Sequence, residues 1–353
     1  MASLPSQPAG AQPSLAVVGL QLASGIALTY PLQVADTVFK VTYQPLSGTT
    51  VGKHIYYQNT LQAANGLIQR DGYIGLLRGV VPFFGYTVLY SSGFETFYQL
   101  YRRLPLQSTP LGFVAAQDFA LAAWRAVLSP LSTLITRLIV RPTAYAQLAT
   151  SSDSSSSSTL ATLGAADPRA FWNATTDAAE RAAPYKLFKP AVMVLELLAS
   201  LTGNIANSLV SVPITEIFIA LAGTGAGRGI SRLSKDEWKT IGTLASVAAA
   251  GIAVRFVNVA LETISKRLQA QQSSEDSSVI DGVKEAALSA AGAASSALVV
   301  LRPKPYSGPI DAFNRILNEE GYRGLFHGWG VQIGGTAAVA AATVGLARFN
   351  GRI

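Results

Sequence analysis

Three of the charged side chains inside the long apolar segments of this sequence are the strongest candidates for chemistry, because a charge there needs either a partner or a function. Arg125 and Arg255 are the cations and Glu196 is the acid. A guanidinium group in such a place can bind an anion, and a carboxylate can hold the guanidinium in an ion pair. The sequence therefore leaves two alternatives open: anion binding in an interior cavity, or structural pairing with an acid or a lipid phosphate.

The composition excludes several kinds of catalytic site. The chain has no cysteine and only two histidines among 353 residues, which excludes thiol catalysis and disfavours a zinc site. The glycine-rich run GTGAGRG (Gly223–Gly229) follows no predicted strand and lacks the GK[ST] ending, so we interpret it as a flexible turn. We therefore expect no enzymatic activity, no metal and no cofactor. The net charge of +7 indicates positive loops and contact with anionic lipids, not with nucleic acid.

The elements that must position these charges are apolar segments. Hydrophobic residues make up 49% of the chain and charged residues 13%, against about 25% charged residues in soluble proteins. A helix needs about 20 apolar residues to cross a bilayer. Six windows approach or exceed that length: Leu15–Leu32, Val80–Leu100, Gly112–Val140, Ala191–Leu221, Ile241–Leu261 and Gly330–Leu346. The sequence thus predicts an all-α membrane protein, in which basic residues after a span, such as Lys266 and Arg267, snorkel to the interface.

A glycine phrase repeats along the chain. In RDGYIGLLRGVVP (Arg70–Pro82) and EEGYRGLFHGWG (Glu319–Gly330), an acid precedes two glycines that lie seven residues apart. The glycines are Gly72 and Gly79 in the first copy, and Gly321 and Gly328 in the second. A weaker middle copy, APYKLFKPAV (Ala183–Val192), has Pro190 in place of the second glycine.

A second phrase repeats three times. It reads TYPLQVADTVFKV (Thr29–Val41), LSPLSTLITRLIV (Leu128–Val140) and NVALETISKRLQA (Asn258–Ala270), which align Pro31, Pro130 and Ala260. A proline inside a helix kinks it. Each repeat is therefore predicted as a kinked membrane helix, a loop with a short surface helix, and a second membrane helix. Arg125 and Arg255 both lie five residues before the aligned position, so they are equivalent.

These phrases resemble the mitochondrial carrier family, whose repeats carry P-x-[DE]-x-x-[KR] on the odd helix and [DE]-G-x(4)-[aromatic]-[KR]-G before the even one. The resemblance covers roughly residues 15–350. It implies six tilted transmembrane helices in three pseudo-threefold repeats, each with a short surface helix, around a central substrate cavity. The predicted divisions are a tail (1–14), repeat 1 (15–105), repeat 2 (111–222, with a Ser-rich loop at 150–165), a connector (223–239) and repeat 3 (240–350, with an insert at 272–305).

The family resemblance also implies two gates of ion pairs between repeats, and both signatures have diverged here. At the matrix gate the acid positions hold Gln33, Ser132 and Glu262, and the base positions hold Asp36, Ile135 and Ser265. We therefore expect no ion pair of the family type, and repulsion between Asp36 and Glu262. At the cytosolic gate the corresponding positions hold Tyr98, Leu209 and Ala347, then Tyr101, Val212 and Asn350.

The diverged gates favour a carrier-fold protein that has lost transport. Its predicted role is that of an accessory or structural subunit in a mitochondrial membrane complex of the respiratory-chain or ATP-synthase type. One alternative is a solute carrier that moves a small anionic metabolite by alternating access with non-standard gates. Another is an outer-membrane carrier homologue that aids protein insertion. The expected location is the inner membrane, with anionic lipids such as cardiolipin and other subunits of the complex as partners.

Overall fold

The computed structural model describes residues 29–44, 57–101, 110–140, 168–223, 235–271, 301–302, 304–332 and 334, and this part of the chain is helical without strands. Its helices are α1 (29–41), α2 (Thr60–Asp71), α3 (Val80–Tyr101), α4 (Pro110–Val127), α5 (Ser129–Val140), α6 (Pro168–Thr175), α7 (Ala178–Ala182), α8 (Pro190–Gly223), α9 (Lys235–Ala270), α10 (Pro309–Glu320), α11 (Tyr322–Leu325) and α12, which starts at residue 329. The N-terminal tail, the Ser-rich loop and most of the insert lie outside the described residues, as do most of the first and sixth predicted spans.

Three stretches of the described chain are long and apolar enough to cross a membrane. They are Tyr73–Gly93, Pro184–Val210 and Trp238–Ala270, each of which overlaps one of the predicted spans. Asp118–Val127 and Ser129–Val140 form a fourth candidate, a pair of helices bent by 60°. The all-α membrane class is therefore supported, while the full set of six helices stays a prediction.

The bend between α4 and α5 shows what the repeated proline does. Pro130 is the second residue of α5. A backbone N–H in the first turn of a helix has no partner within the helix, so α5 loses no hydrogen bond to proline there. The ring does clash with the preceding turn, so α4 and α5 cannot continue as one straight helix. Repeat 3 has Ala260 at the same place, and α9 runs unbroken from Lys235 to Ala270. The predicted kink is thus present in repeat 2 and wrong for repeat 3, because only a proline ring breaks the helix there.

Two apolar clusters hold the described helices together. The first joins α1 and α5 with surface helix α2, through residues such as Val34, Leu67 and Ile139. The second joins α8 and α9 with surface helix α10, through residues such as Leu195 and Ile316. Each surface helix therefore packs across the end of an odd-numbered span, and it closes that end of the bundle.

The four glycines of the repeated phrase adopt left-handed backbone, and no other described residue does. Their φ angles are 68° at Gly72, 72° at Gly79, 73° at Gly321 and 84° at Gly328. Side-chain-bearing residues rarely adopt this region, so the sequence repeat is also a repeat of one turn. Pro190, whose ring fixes a negative φ, cannot make that turn, and it stands instead as the first residue of α8.

Substituting these glycines by alanine should separate backbone strain from crowding. Gly72 has no atom within 4 Å of a Cβ placed on it, so Gly72→Ala is expected to cost only the strain of its positive-φ backbone (φ 68°, ψ −172°), about 1–3 kcal/mol. A Cβ on Gly328 would collide with the Asp36 carboxylate, and Gly328→Ala should add about 1–3 kcal/mol for overpacking. Gly330→Ala, an uncrowded helical control, should not lower the temperature of thermal unfolding. Equal losses of stability for Gly72→Ala and Gly328→Ala would contradict the expected collision with Asp36.

Candidate functional site

A polar cavity of about 410 Å³ lies between the helices of all three repeats. It is lined by residues of α1, α3, α4, α5, α8 and α9, together with Gln332 at the start of α12. Three carboxylates and four cations line it: Asp36, Glu196 and Glu262; Lys40, Arg125, Arg255 and Lys266. All three charged residues that the sequence singled out therefore lie in one cavity.

An inter-repeat ion pair closes one end of this cavity. Lys40 Nζ lies 2.7 Å from Asp36 Oδ2 on its own helix and 2.8 Å from Glu262 Oε2 on α9. Gln332 Nε2 donates a further hydrogen bond of 2.8 Å to Glu262. The expectation of no ion pair between repeats is thus wrong for repeats 1 and 3. Asp36 and Glu262 do not simply repel each other, because the ammonium group of Lys40 lies between them.

The other two sides of this closure are built differently. Between repeats 2 and 3, Lys266 Nζ donates to Thr136 Oγ1 at 3.0 Å and to Ser132 Oγ at 3.4 Å, so hydroxyl groups replace the acid. Between repeats 1 and 2, Ile135 packs in the apolar cluster of α1, and Gln33 faces the cavity. We call these contacts, together with the Lys40–Glu262 pair, the polar floor. It combines one ion pair, one set of lysine–hydroxyl bonds and one apolar contact.

The two equivalent arginines have different surroundings. Arg125 Nε donates to Glu196 Oε2 at 3.1 Å, and the other oxygen of Glu196 accepts hydrogen bonds of 2.9 Å from Ser265 and Gln269. Glu196 is thus an interior ion-pair partner. Arg255 makes no hydrogen bond or ion pair within the described part of the chain, and its Nε is buried. Within the described residues, Arg125 therefore has a structural ion-pair partner and Arg255 has none at ion-pair distance.

The expected snorkelling of Lys266 and Arg267 is wrong. Lys266 points into the polar floor, as described above. Arg267 is buried and pairs with Glu320 at the end of surface helix α10. Its guanidinium also donates to the carbonyl oxygens of Lys40, at 2.9 Å, and of Thr42, at 3.4 Å. Both basic side chains turn inward because the surface helix covers the end of α9 and acceptors lie there.

Sequence reasoning missed a second such arginine in repeat 2. Arg137, 0% exposed, pairs through both terminal nitrogens with Glu180 on α7, at 2.5 and 2.8 Å. It also donates to the carbonyl oxygens of Gln269 and Gln271, where α9 ends. Burial alone would raise the pKa of Glu180, but the hydrogen bonds from Arg137 outweigh it and hold the pKa below its ordinary value.

The signal for these two arginines was present in the alignment of the repeats. Arg137 and Arg267 occupy the same place in the repeated phrase, seven residues after Pro130 and Ala260. Each pairs with an acid from the surface helices of its own repeat and caps the end of the odd-numbered span of another repeat. Repeat 1 has Val38 at this place, and its acid Asp71 pairs instead with Arg78, at 2.6 Å. Repeats 2 and 3 therefore share one arrangement, and repeat 1 replaces it with the pair of Asp71 and Arg78.

Several signature positions lie at the edge of what the structure describes. Pro31 is in the first described turn of α1, and Ser265 faces Glu196. At the cytosolic gate, Ala347 and Asn350 lie outside the described residues, and so do the side chains of Tyr98, Tyr101 and Val212. The state of that gate therefore stays a prediction.

A comparison with known families supports the resemblance in repeat 3. Residues 236–349 match the family model described as mitochondrial carrier protein. The matched segment contains α9 with Glu262, the surface helix α10 and the Gly321–Gly328 turn. No curated protein matches the chain.

Proposed function

We propose that this chain, whose residues 236–349 belong to the mitochondrial carrier family, moves a small anionic solute across the inner mitochondrial membrane by alternating access. Members of this family are transporters and not enzymes. The observation that carries the proposal is the Lys40–Glu262 ion pair, which joins repeats 1 and 3 at the end of a charged cavity. The expected absence of such a pair was the reason for favouring loss of transport.

The polar floor contains buried charges that would have to separate if it opened as a gate. Separating a buried ion pair leaves its charges without partners, and removing one partner of such a pair typically costs about 3–5 kcal/mol. A gate of this strength stays closed until a ligand favours the open state by a comparable free energy. Lys40 and Lys266 stand at the floor, so an anion in the cavity lies close to the groups that must separate.

The accessory-subunit role remains a second candidate. It is favoured by Ser132 and Ile135, which replace charged residues of the family signature, so that one ion pair stands where the family has three. In that role the partners would be other subunits of a membrane complex. Anionic lipids such as cardiolipin are proposed partners in either role, because the net charge is +7. The outer-membrane role in protein insertion stays a prediction.

Exchange in proteoliposomes should decide between these roles. The purified chain is expected to give saturable uptake of at least one labelled organic anion from a set of keto acids, hydroxy acids and nucleotides. Arg315→Gln, a control at a half-buried pair outside the cavity, should leave the uptake rate unchanged. Absence of uptake for every anion, with co-migration of the chain and a large complex on native gels, would reject transport and support the accessory role.

A further inference from the structure

We infer that the wall of the cavity formed by α8 and α9 is a binding subsite for a monocarboxylate that carries a hydroxyl group on the neighbouring carbon. Arg255, Asn204 and Asn258 form this subsite, which we call the α8–α9 subsite. The inference gives the proposed transport a substrate class. The binding itself requires only the cavity, so it can be tested without transport.

The first argument is the charge of the cavity. Four cations against three carboxylates leave its lining with one excess positive charge when all seven are ionised. Asp36, Glu196 and Glu262 are already engaged with Lys40 or Arg125. Arg255 has no acid within ion-pair distance among the described residues. A ligand with a single negative charge would neutralise the lining and supply the missing partner.

The second argument is a set of buried polar atoms that lack partners in the described chain. They are Arg255 Nε and Asn204 Nδ2, which are donors, and Asn258 Oδ1, which is an acceptor. Asn258 is only 1% exposed, and its Nδ2 donates to the carbonyl oxygen of Ala199, so the orientation of its amide is fixed. Unpaired buried polar atoms cost free energy, and buried sites in proteins normally satisfy them.

The third argument is the space beside these atoms. Gly203 lies between them: a Cβ on it would be 3.1 Å from Asn258 Nδ2 and 3.6 Å from Arg255 Nη1. The glycine thus brings the backbone of α8 close to both side chains and leaves the cavity open in front of them. Asn204, the next residue, faces the same cavity.

The chemistry of the ligand follows from these groups. A carboxylate accepts hydrogen bonds from the guanidinium of Arg255 and the amide of Asn204, which are both donors. Asn258 Oδ1 needs a donor, and a hydroxyl group on the neighbouring carbon supplies one. An amino acid would supply a donor too, but its ammonium group would leave the lining with its excess positive charge. A hydroxy monocarboxylate satisfies both the charge and the hydrogen bonds.

Binding to the full chain in lipid nanodiscs, measured by isothermal titration calorimetry, tests this inference. The probes are lactate, propionate without the hydroxyl group, lactamide without the charge, and alanine with an ammonium group. Lactate is expected to bind at least about tenfold more tightly than each of the others, because each lacks one interaction or the net charge. This comparison needs no variant, so it does not depend on whether a variant folds.

Variants then assign the effect to residues. Arg255→Gln should weaken lactate binding at least about tenfold, and Asn258→Ala should remove the preference for lactate over propionate. Arg315→Gln, far from the cavity, should change neither. If propionate, lactamide or alanine binds as tightly as lactate, or Arg255→Gln binds lactate normally, the inference is wrong. Lactate binding without uptake of any anion rejects transport and leaves the subsite, while uptake of another anion by a chain that does not bind lactate rejects the subsite alone.

Discussion

Arg137→Met is expected to lower the free energy of unfolding by about 3–5 kcal/mol, which is the typical cost of breaking a buried ion pair by removing one partner. The substitution leaves Glu180, 1% exposed, without its guanidinium partner. It also removes the donors to the carbonyl oxygens of Thr175, Gln269 and Gln271, which join repeat 2 to the end of α9. Thermal unfolding of the detergent-solubilised chain measures the loss.

A double variant distinguishes the ion pair from simple loss of packing. Arg137→Met combined with Glu180→Gln removes a buried carboxylate charge that would keep only the more distant Lys189, at 3.6 Å, so it should recover about 1–3 kcal/mol relative to Arg137→Met alone. Lys239→Met serves as the control, because Lys239 forms an exposed pair with Asp236 at the start of α9 and should not affect unfolding measurably. Unfolding of the double variant at or below the temperature of Arg137→Met would show that the pair does not carry the stability.

The sequence predicted which residues lie in the cavity better than it predicted their partners. A charge in an apolar segment has to turn inward, so Arg125, Arg255 and Glu196 could be assigned to the interior from position alone. Their pairing depends on which helices meet. Arg125 and Glu196 are 71 residues apart in the chain. No local sequence pattern predicts that α4 packs against α8 at the height of these two residues.

The inter-repeat ion pair was missed for a related reason. The family signature fixes the base three residues after the acid position, and in repeat 1 that place holds Asp36. Lys40 lies four residues further along, on the same face of α1, and it reaches both Asp36 and Glu262. The signature positions test for a base at one place on the helix only. A long lysine side chain one helical turn further along can form the same ion pair with the acid of another repeat.

The turns were predictable because their cause is local. A left-handed residue strongly favours glycine, so the repeated spacing of Gly72–Gly79 and Gly321–Gly328 fixes two equivalent turns from sequence alone. Repeat 2 lacks these glycines. The acid that binds Arg137 there is Glu180, which does not directly precede a glycine turn. The acid that completes a repeat could therefore be identified only from its distance to the arginine.

Lys40→Met is expected to open the polar floor and expose the cavity to the side on which the surface helices lie. The substitution removes both ion pairs of Lys40 and leaves Asp36 and Glu262 without the cation between them. The closed state should lose about 3–5 kcal/mol, and every 1.4 kcal/mol changes a population ratio tenfold. The open state should therefore become at least about tenfold more populated.

Labelling of a single cysteine can measure this change. The chain contains no cysteine, so Ser200→Cys, at a buried residue that lines the cavity, introduces one reactive thiol without background. In proteoliposomes, a membrane-impermeant maleimide added on the side of the surface helices should label this thiol at least about tenfold faster in Lys40→Met than in the parent.

Matched variants decide whether the ion pair holds the floor closed. Adding Glu262→Gln to Lys40→Met removes one of the two unpaired carboxylates, so labelling should slow relative to Lys40→Met alone. Lys239→Met, at an exposed lysine on the same helix as Glu262, should leave labelling at the parent rate. Equal labelling in the parent and in Lys40→Met would mean that hydroxyl and apolar contacts hold the floor closed without the ion pair. The alternating-access proposal would then lose the gate on which it depends.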